Sequence, residues 1–600
     1  MNTQRHHTVG KPIGSLLAVL AVLTAAPVSA QTDPTLKRLC REYWDLLVRD
    51  RPVWATSIGD YRHNAILRDY GNRGRTRWQS GLMRLQRHLE ALDADKLSAS
   101  DRLTRELLQR AVDDALLRLS CQMFLMPLEP IEGPHVEFPR LPVVHPFRNE
   151  KDFETYLNRL RTFPKQVDSI LESMRLGLRR RILPPRVTME KVVSQLRGQL
   201  VGDPEKSPLF EAAKRVSVLP EDKREATVEA IREAIRTKVF PAYGRLLRFV
   251  TNEYLPACRE SVGLVGIPGG KNVYRKLAYL HTTVHLDPEE IHELGLSEVA
   301  RLREEMAKVQ AQLGIPGSVG DLLDRMSSDP RYRFREASEI LSEAGKLLAR
   351  AQASLPKLFT RLPRANCVPK AIEAYRAPAS PVAFYQPPPE DGSRPGYFYL
   401  NTYQPKERLR YTLEALTYHE AVPGHHLQIA LDQENRDLPR FRRYGEFTAY
   451  VEGWALYAEK LGYEMGGYTD PASRFGQLTF EMWRACRLVV DTGIHAMGWS
   501  RERAITYMME NTSLAPLDIE AEVDRYIAWP GQALAYKIGE LRIVKLRDEA
   551  KRQLGERFDL RAFHDALLAE GAMPLDILER RMEAWIEREA AKGTKAVHSP

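Results

Sequence analysis

The amino-acid sequence predicts a mainly α-helical protein. Apolar residues recur at three- and four-residue spacing through most of the chain, which is the period of an amphipathic helix. The segment Asp287–Glu290 is typical of a helix start, with an aspartate cap, a proline at the first helical position and two carboxylates in the first turn. By contrast, Tyr397–Asn401 is short and aromatic-rich, which favours a β-strand.

The helices are predicted from this spacing in chain order. They cover about 35–50, 76–94, 99–118, 287 to beyond 305, 335–353, 405–421, 446–463, 477–497, 500–510, 531–552 and 574–590. Two proline-rich stretches, Pro127–Pro146 and Ala377–Gly396, interrupt the pattern because proline opposes a regular helix. Since no internal repeat or clean linker is evident, residues 31–600 are expected to form a single domain with two helical lobes.

The first 30 residues are expected to be a secretory signal peptide. Two basic residues, Arg5 and Lys11, precede the apolar run Ile13–Ala26, and small residues lead to the expected cleavage after Ala30. No cysteine follows the run as in a bacterial lipoprotein, and no later segment approaches 18 uninterrupted apolar residues. We therefore expect an exported protein, periplasmic or secreted, without stable membrane insertion; an uncleaved anchor is the alternative.

Composition argues against two classes of function. The formal charge of +9 is spread along the chain and accompanies no nucleic-acid-binding signature, so we expect no nucleic-acid partner. The five cysteines are odd in number, widely spaced and form no C-x-x-C pair. A cysteine zinc site or a disulfide scaffold is therefore not expected.

The segment His419–His426 has the residue types of a catalytic metal site. Such a site needs three protein ligands, an open position for water and a nearby carboxylate to accept a proton. The pattern His-Glu-x-x-His supplies two ligands and the carboxylate from one face of a helix. Here His419 and Glu420 begin that pattern, but Pro423 stands where the second histidine should be.

The next histidines, His425 and His426, lie six and seven residues after His419. In a regular helix His426 would be about 10 Å further along the axis, too far for one ion to bind both. Because Pro423 and Gly424 favour a break, the helix is expected to be distorted there. We favour His425 as the second ligand, with His426 as the alternative.

The third ligand is expected to be a carboxylate on a following helix. Glu452 fits best because its neighbours at helical spacing are small or apolar, and a carboxylate on such a face needs a partner or a metal. Glu459 continues the same stripe and is a candidate to orient a ligand. Glu446 is a weaker alternative.

These residues resemble those of the DUF885 family of bacterial proteins. The resemblance rests on five segments and is strongest from about residue 375 to 545: His419–Gln428, Glu452–Glu459, Pro387–Asn401, Arg487–His495 and Pro530–Lys537. This family is regarded as related to the gluzincin metallopeptidases, with a layout similar to the thimet oligopeptidase and Taq carboxypeptidase groups. The resemblance implies a two-lobed, helical, zincin-like peptidase fold with a deep cleft and a small β-sheet beside the metal-binding helix.

The resemblance also implies roles for residues outside the metal motif. An edge strand beside the metal helix pairs with substrate in gluzincins of this layout, so Tyr397, Tyr399 and Asn401 become candidate substrate-binding residues. Tyr536 matches by position a residue that stabilises the oxyanion. For both assignments, a purely structural role is the alternative.

A polar stripe, Arg487, Asp491 and His495, runs along an otherwise apolar helix at four-residue spacing. This spacing permits ion pairs between successive turns. His495 is a second candidate oxyanion donor, and Arg487 is a candidate to bind a substrate carboxylate. A structural ion-pair network is the alternative.

The sequence therefore predicts a zinc-dependent hydrolase that cleaves short peptides, as an oligopeptidase, dipeptidase or carboxypeptidase. One Zn²⁺ per chain would be held by His419, His425 and Glu452, with Glu420 as the general base. The alternatives are a metal-dependent esterase or amidase, and a non-catalytic periplasmic binding protein. The intact Glu420 counts against the latter, because a pure binding protein has no need of a general base.

Overall fold

A computed structural model describes residues 32–596, except 374–376, 378–379, 391, 393 and 446. The predicted signal peptide at residues 1–30 and the alternative ligand Glu446 therefore lie outside the described residues. The structure is mainly helical with one small sheet, in agreement with the predicted class. Among the described residues, no helix combines the length and apolar character that crossing a membrane requires.

The helices of the first half of the chain precede the sheet. They are α1 (Pro34–Asp50), α2 (Pro52–Ser57), α3 (Asn72–Glu90), α4 (Ala99–Ser120), α5 (Pro134–Glu137), α6 (Leu141–Val144), α7 (Glu150–Arg180), α8 (Arg186–Gly198), α9 (Glu221–Ala234), α10 (Phe240–Phe249), α11 (Gly270–Thr282), α12 (Pro288–Leu313), α13 (Val319–Ser328) and α14 (Ala337–Ser354). The stretch Pro127–Pro146 holds only short helical segments, as its prolines predict.

The sheet follows, and the remaining helices come after it. The strands are β1 (Cys367–Ala371), β2 (Ala383–Gln386) and β3 (Gly396–Leu400). The helices are α15 (Leu413–Glu420), α16 (His425–Glu434), α17 (Arg440–Arg443), α18 (Thr448–Lys460), α19 (Pro471–His495), α20 (Arg501–Asn511), α21 (Pro516–Ala528), α22 (Ala535–Leu554), α23 (Leu560–Leu568) and α24 (Leu575–Ala596).

The strand order of the sheet is β1-β3-β2. Strand β3 pairs in parallel with β1, where Val368 is opposite Tyr397, and antiparallel with β2, where Tyr385 is opposite Phe398. The predicted strand is therefore present, but it is the central strand and not an edge. The edge strands are β1 and β2, and the sequence predicts neither of them.

Three large apolar clusters form the core. The largest joins helices from both ends of the chain, including α1, α4, α15, α18 and α22. A second contains buried residues from Leu128 to Cys258, mainly on α7 to α10. The third is built by α12, α13, α19, α20 and α21. Leu128, Leu416 and Ile527 come from different clusters and line the same cavity, so the cavity lies where the three clusters meet.

A buried charge network ties four helices together. Lys537 of α22 lies 2.8 Å from Glu481 of α19, 2.9 Å from Glu540 of its own helix and 3.0 Å from Glu298 of α12. Lys460 of α18 lies 2.6 Å from Glu540. Buried charges are tolerated only when they are paired, so these contacts fix α18 and α22 relative to α12 and α19.

Candidate metal centre

Three side chains converge on one point: His419 of α15, His425 of α16 and Glu452 of α18. One donor atom from each lies within 4.8 Å of the other two. Glu452 Oε2 is 3.6 Å from His419 Nε2 and 3.4 Å from His425 Nε2. Ligands about 2.0–2.1 Å from a tetrahedral Zn²⁺ are separated by about 3.3 Å, so these spacings suit such an ion.

The electrostatics of this cluster favour a positive charge at its centre. Burial lowers the pKa of His419, but the carboxylates of Glu452 and Glu459 raise it. The carboxylates outweigh burial, and the pKa rises to about 9. Burial raises the pKa of Glu452, and the neighbouring His425 and His419 hold it well below its usual range. Glu452 Oε2 is buried and has no hydrogen-bond partner among the described residues. A proton or a metal ion can supply the missing positive charge.

A helix break brings the two histidines together. Helix α15 ends at Glu420 and α16 begins at His425, with a cis peptide bond between Val422 and Pro423. The carbonyl of Pro423 accepts a hydrogen bond of 2.9 Å from Trp454 Nε1 on α18. The interruption predicted at Pro423 and Gly424 is therefore present, and it places His425 beside His419 with ring centroids 4.8 Å apart.

His426 faces away from this cluster. Its Nδ1 lies 3.0 Å from the hydroxyl of Tyr385, and its Nε2 lies 2.9 Å from the carbonyl of Ala365. Both ring nitrogens are thus engaged in holding β2 and the segment before β1 against α16. Of the two alternatives left open by the sequence, His425 is the histidine that joins the cluster.

Close packing of α18 on α22 positions Glu452. A Cβ atom at Gly453 would lie 2.5 Å from the backbone of Gly539, and one at Gly539 would lie 1.9 Å from the carbonyl oxygen of Ala449. The two glycines therefore let the helix backbones touch. This contact brings Glu452, next to Gly453, towards Tyr536, which lies one turn before Gly539 on α22.

Glu459 orients His419 from behind. Its Oε1 accepts a hydrogen bond of 2.8 Å from His419 Nδ1, and the carboxylate is fully buried. This bond keeps a proton on Nδ1, so loss of the Nε2 proton, as on binding a metal ion, leaves the Nε2 lone pair facing Glu452 and His425. Arg484 lies 3.6 Å from the same carboxylate oxygen. Glu452 and Glu459 of α18 therefore contact opposite ring nitrogens of His419: Glu452 is near Nε2, and Glu459 binds Nδ1.

A cavity of about 1330 Å³ opens beside the cluster. Its lining includes His419, Glu420, His425 and Glu452. Glu420 is nine-tenths buried and directly follows His419 at the end of α15. The carboxylate predicted as a general base therefore lies on the wall of the same cavity as the candidate ligands.

Tyr536 and Arg487, two further predicted site residues, also line this cavity. Burial and the nearby Glu452 raise the pKa of Tyr536, while Arg525 and Arg487 lower it. The net shift is upward, so the phenol stays protonated at neutral pH and can donate a hydrogen bond. The guanidinium carbon of Arg487 lies 4.4 Å from the centroid of the Tyr536 ring.

The structure does not bring His495, the second candidate oxyanion donor, to the described lining of the cavity. His495 is fully buried, its Nδ1 accepts from the amide of Leu264 at 3.1 Å, and its Nε2 lies 2.9 Å from the carbonyl of Tyr526. Nor does Asp491 pair with its helical neighbours, because it bonds the Tyr274 hydroxyl at 2.6 Å and the Gly531 amide at 3.0 Å. The expected relay along α19 is therefore absent among the described residues.

Among the described residues that line the cavity, none comes from β3 or from Asn401 after it, so the structure does not bring these predicted substrate contacts to the candidate site. Tyr397 and Tyr399 belong to the central strand, whose two edges pair with β1 and β2. Lys370 stacks on the Tyr397 ring, and Tyr399 stacks on Phe384 with ring centroids 4.8 Å apart. Asn401 is buried and donates to the carbonyls of Ala377 and Ser380, so it holds the loop before β2.

The residues that sequence reasoning missed lie on β2 and α21. All of β2, from Ala383 to Gln386, lines the cavity, as do Glu522 and Arg525 of α21. The short β2 lies within the proline-rich stretch Ala377–Gly396, whose prolines do not predict a strand. The start of α21 could have been predicted from the sequence Ala515-Pro516-Leu517-Asp518. A proline at the first helical position followed by a carboxylate is typical of a helix start.

Three comparisons place the chain among known proteins. A family model described as "Bacterial protein of unknown function (DUF885)" matches residues 52–582. A crystal structure of a "putative lipoprotein" from Colwellia psychrerythraea is 30% identical, with a TM-score of 0.86 over 92% of this chain and 99% of that chain. No curated protein sequence matches the chain significantly.

A second solved structure, a "putative lipoprotein of unknown function" from Shewanella oneidensis, is 19% identical with a TM-score of 0.71, over 91% of this chain and 99% of that chain. This likeness shows the fold alone. The family model, in contrast, spans most of the sequence, and the Colwellia psychrerythraea protein is similar over nearly its whole length. This protein therefore belongs to the DUF885 family.

Proposed function

We propose that this protein is a zinc-dependent peptidase that cleaves short peptides. The observation that carries the proposal is the convergence of His419, His425 and Glu452 on one point of the cavity wall, with Glu420 beside them. Two imidazoles and one carboxylate are a ligand set found in catalytic zinc sites, where a fourth position stays open. A buried carboxylate oxygen without a hydrogen-bond partner among the described residues is consistent with an ion at that point.

One Zn²⁺ per chain bound there would activate water and polarise the peptide carbonyl as a Lewis acid. Glu420 takes a proton from the attacking water and delivers it to the leaving amine. Tyr536 donates its hydroxyl hydrogen to the oxyanion that develops on the carbonyl oxygen. Glu459 holds the His419 ring in the orientation that this chemistry needs.

The surroundings of the site support a peptide substrate. Strand β2 is an edge of the sheet and lines the cavity, so an extended peptide can add to it by backbone hydrogen bonds. Backbone pairing of this kind contacts few side chains of the substrate, which suits a peptidase of broad specificity. A cavity of about 1330 Å³ holds a short peptide and not a folded protein.

Two further features follow from this function: the overall layout of the helices and the location of the protein. We propose that the arrangement of helices around this cavity is the two-lobed, zincin-like layout of the gluzincin peptidases, with the catalytic core at about residues 375–545. We also propose export of the protein, outside the cytoplasm, on the basis of the sequence of residues 1–30. The relative from Colwellia psychrerythraea, described as a "putative lipoprotein", is consistent with export.

Metal content and peptide hydrolysis test this proposal together. We expect elemental analysis of the purified protein to find one zinc per chain, and hydrolysis of a short-peptide library to stop after chelation and return with added Zn²⁺. In the His419→Ala variant the zinc should be lost. Full hydrolysis by metal-free protein, or no zinc in a correctly folded chain, would contradict the proposal.

The Glu459→Gln variant should bind zinc about 10- to 100-fold more weakly than the wild type. The amide keeps the size of the side chain, but a neutral acceptor no longer raises the basicity of His419. Competition with a fluorescent zinc chelator measures this change without any activity assay. A suitable control is Glu464→Gln, which alters a partly exposed ion pair with Arg547 just after the same helix. Equal zinc affinity for Glu459→Gln and the wild type would show that Glu459 does not support the ligand.

A further inference from the structure

The guanidinium of Arg487 is held rigidly at the cavity wall. The side chain is only 4% exposed, and its guanidinium carbon lies 4.3 Å from the Trp483 ring centroid and 4.4 Å from that of Tyr536. Its Nε donates to the Tyr526 hydroxyl at 3.0 Å, and one Nη donates to Glu522 at 3.1 Å. The other amino nitrogen, Nη1, is buried and has no hydrogen-bond partner in the described part of the chain.

The charge around Arg487 is not balanced. Glu522 is the carboxylate that Arg487 contacts, and Arg525 binds the same carboxylate at 2.7 Å. Arg525 directs its remaining amino group to the neutral Gln532 at 2.6 Å. Two guanidinium groups thus share one carboxylate, which leaves one positive charge at a cavity wall lined by all three residues. A buried cation in this state gains strongly from an anionic ligand.

We infer that Arg487, supported by Arg525, binds the carboxylate at the C-terminus of the substrate peptide. This inference rests on the proposed function and gives it a direction: the protein is an exopeptidase that acts from the C-terminal end. Because Nε and one Nη already donate within the wall, the donors left for a carboxylate are the unpaired Nη1 and the second N–H of the other Nη, a planar fork that lysine cannot reproduce. Stacking between two aromatic rings fixes the plane in which those bonds form.

The position of Arg487 limits how many residues are removed. The guanidinium stacks directly on the ring of Tyr536, the residue that we propose to contact the oxyanion. Each residue of an extended peptide spans about 3.3–3.6 Å. A carboxylate bound by Arg487 therefore belongs to a residue one or two positions after the scissile bond, so the products are single C-terminal residues or dipeptides.

N-acetylated pentapeptides with either a free C-terminal carboxylate or a C-terminal carboxamide provide the test, with products identified by mass spectrometry. For the zinc-loaded wild type, we expect kcat/KM to be about 10- to 100-fold higher for the free acid than for the amide, the range for a charge-assisted hydrogen bond. In Arg487→Gln and Arg487→Lys this ratio should fall towards one. The Arg503→Gln variant is a matched control, because Arg503 stacks on Trp499 on the exposed side of α20 and should leave the ratio unchanged.

A pentapeptide amide with a glutamate near its end distinguishes a terminal carboxylate from a side-chain carboxylate. Preference for this peptide over the plain free acid would overturn the inference in favour of an acidic side-chain pocket. Equal hydrolysis of acid and amide by the wild type would also overturn it, although the proposed peptidase function would stand. Hydrolysis of neither peptide by zinc-loaded protein would count against both. Because the wild-type comparison needs no variant, a misfolded Arg487 variant cannot obscure the result.

Discussion

Replacing Glu420 with glutamine is expected to lower kcat for peptide hydrolysis by about 10²- to 10⁴-fold, the usual contribution of a general acid–base residue. The carboxamide has nearly the same size and stays next to His419 on the cavity wall, but it cannot accept a proton from water. Because Glu420 is not among the three converging ligands, zinc content should remain one per chain. Stopped-flow or steady-state assays on a fluorogenic short peptide measure the change, and elemental analysis measures the metal.

The combination of lost turnover and retained zinc separates proton transfer from metal binding. Glu549→Gln makes the same chemical change on a partly exposed residue of α22, where an ion pair with Arg552 contributes little to stability, and should leave kcat within about threefold of wild type. Unchanged turnover by Glu420→Gln would remove Glu420 from the mechanism. Loss of zinc in the same variant would instead make Glu420 a metal ligand and require a different base.

The convergence of the three candidate ligands was predictable from local chemistry. Proline and glycine within a His-Glu motif permit only a broken helix, and two histidines six residues apart can share an ion only across such a break. Glu452 could be chosen because a carboxylate on a small, apolar helix face needs a partner. Each of these arguments uses residues close in sequence or periodic on one helix.

The predicted site residues that the structure does not bring to the cavity are those whose contacts involve distant segments of the chain. His495 lies on the same stripe of α19 as Arg487, but most of α19 is buried all round, so successive turns of the stripe face different partners. The end at His495 meets Leu264 and Tyr526, whereas Arg487 faces the cavity. Helical period fixes which residues share a stripe, but only packing decides which part of the stripe meets solvent.

The sheet is a second case in which the contacts between distant segments could not be predicted from local sequence. The aromatic pattern of β3 predicts a strand. It does not predict the strand order, which depends on β3 pairing with both β1 and β2, two strands that precede it in the chain. A strand beside a metal helix could be an edge or a centre, and β2 is hidden in a stretch with three consecutive prolines just after it. The candidate substrate-binding edge therefore moves from Tyr397–Asn401 to Ala383–Gln386 once the pairing is known.

Gly424→Ala is expected to reduce both stability and zinc affinity, because this glycine sits at the helix break. A Cβ atom there would lie 1.9 Å from the carbonyl oxygen of His419 and 2.3 Å from that of Tyr418. These are backbone atoms, so relief requires α15 and α16 to move apart. Overpacking of this kind costs about 1–3 kcal/mol or more in the free energy of unfolding.

The same movement separates His425 from His419, so the loss of zinc affinity should exceed that of Glu459→Gln. Urea unfolding of the metal-free protein isolates the packing cost, and chelator competition measures the binding cost. Gly345→Ala is the matched control: Gly345 lies inside α14, a Cβ atom there meets nothing within 4 Å, and alanine should stabilise the helix by about 0.5–1 kcal/mol. If Gly424→Ala kept wild-type zinc affinity while losing stability, the break would serve folding alone, and the ligand geometry would not depend on how closely the two helices approach.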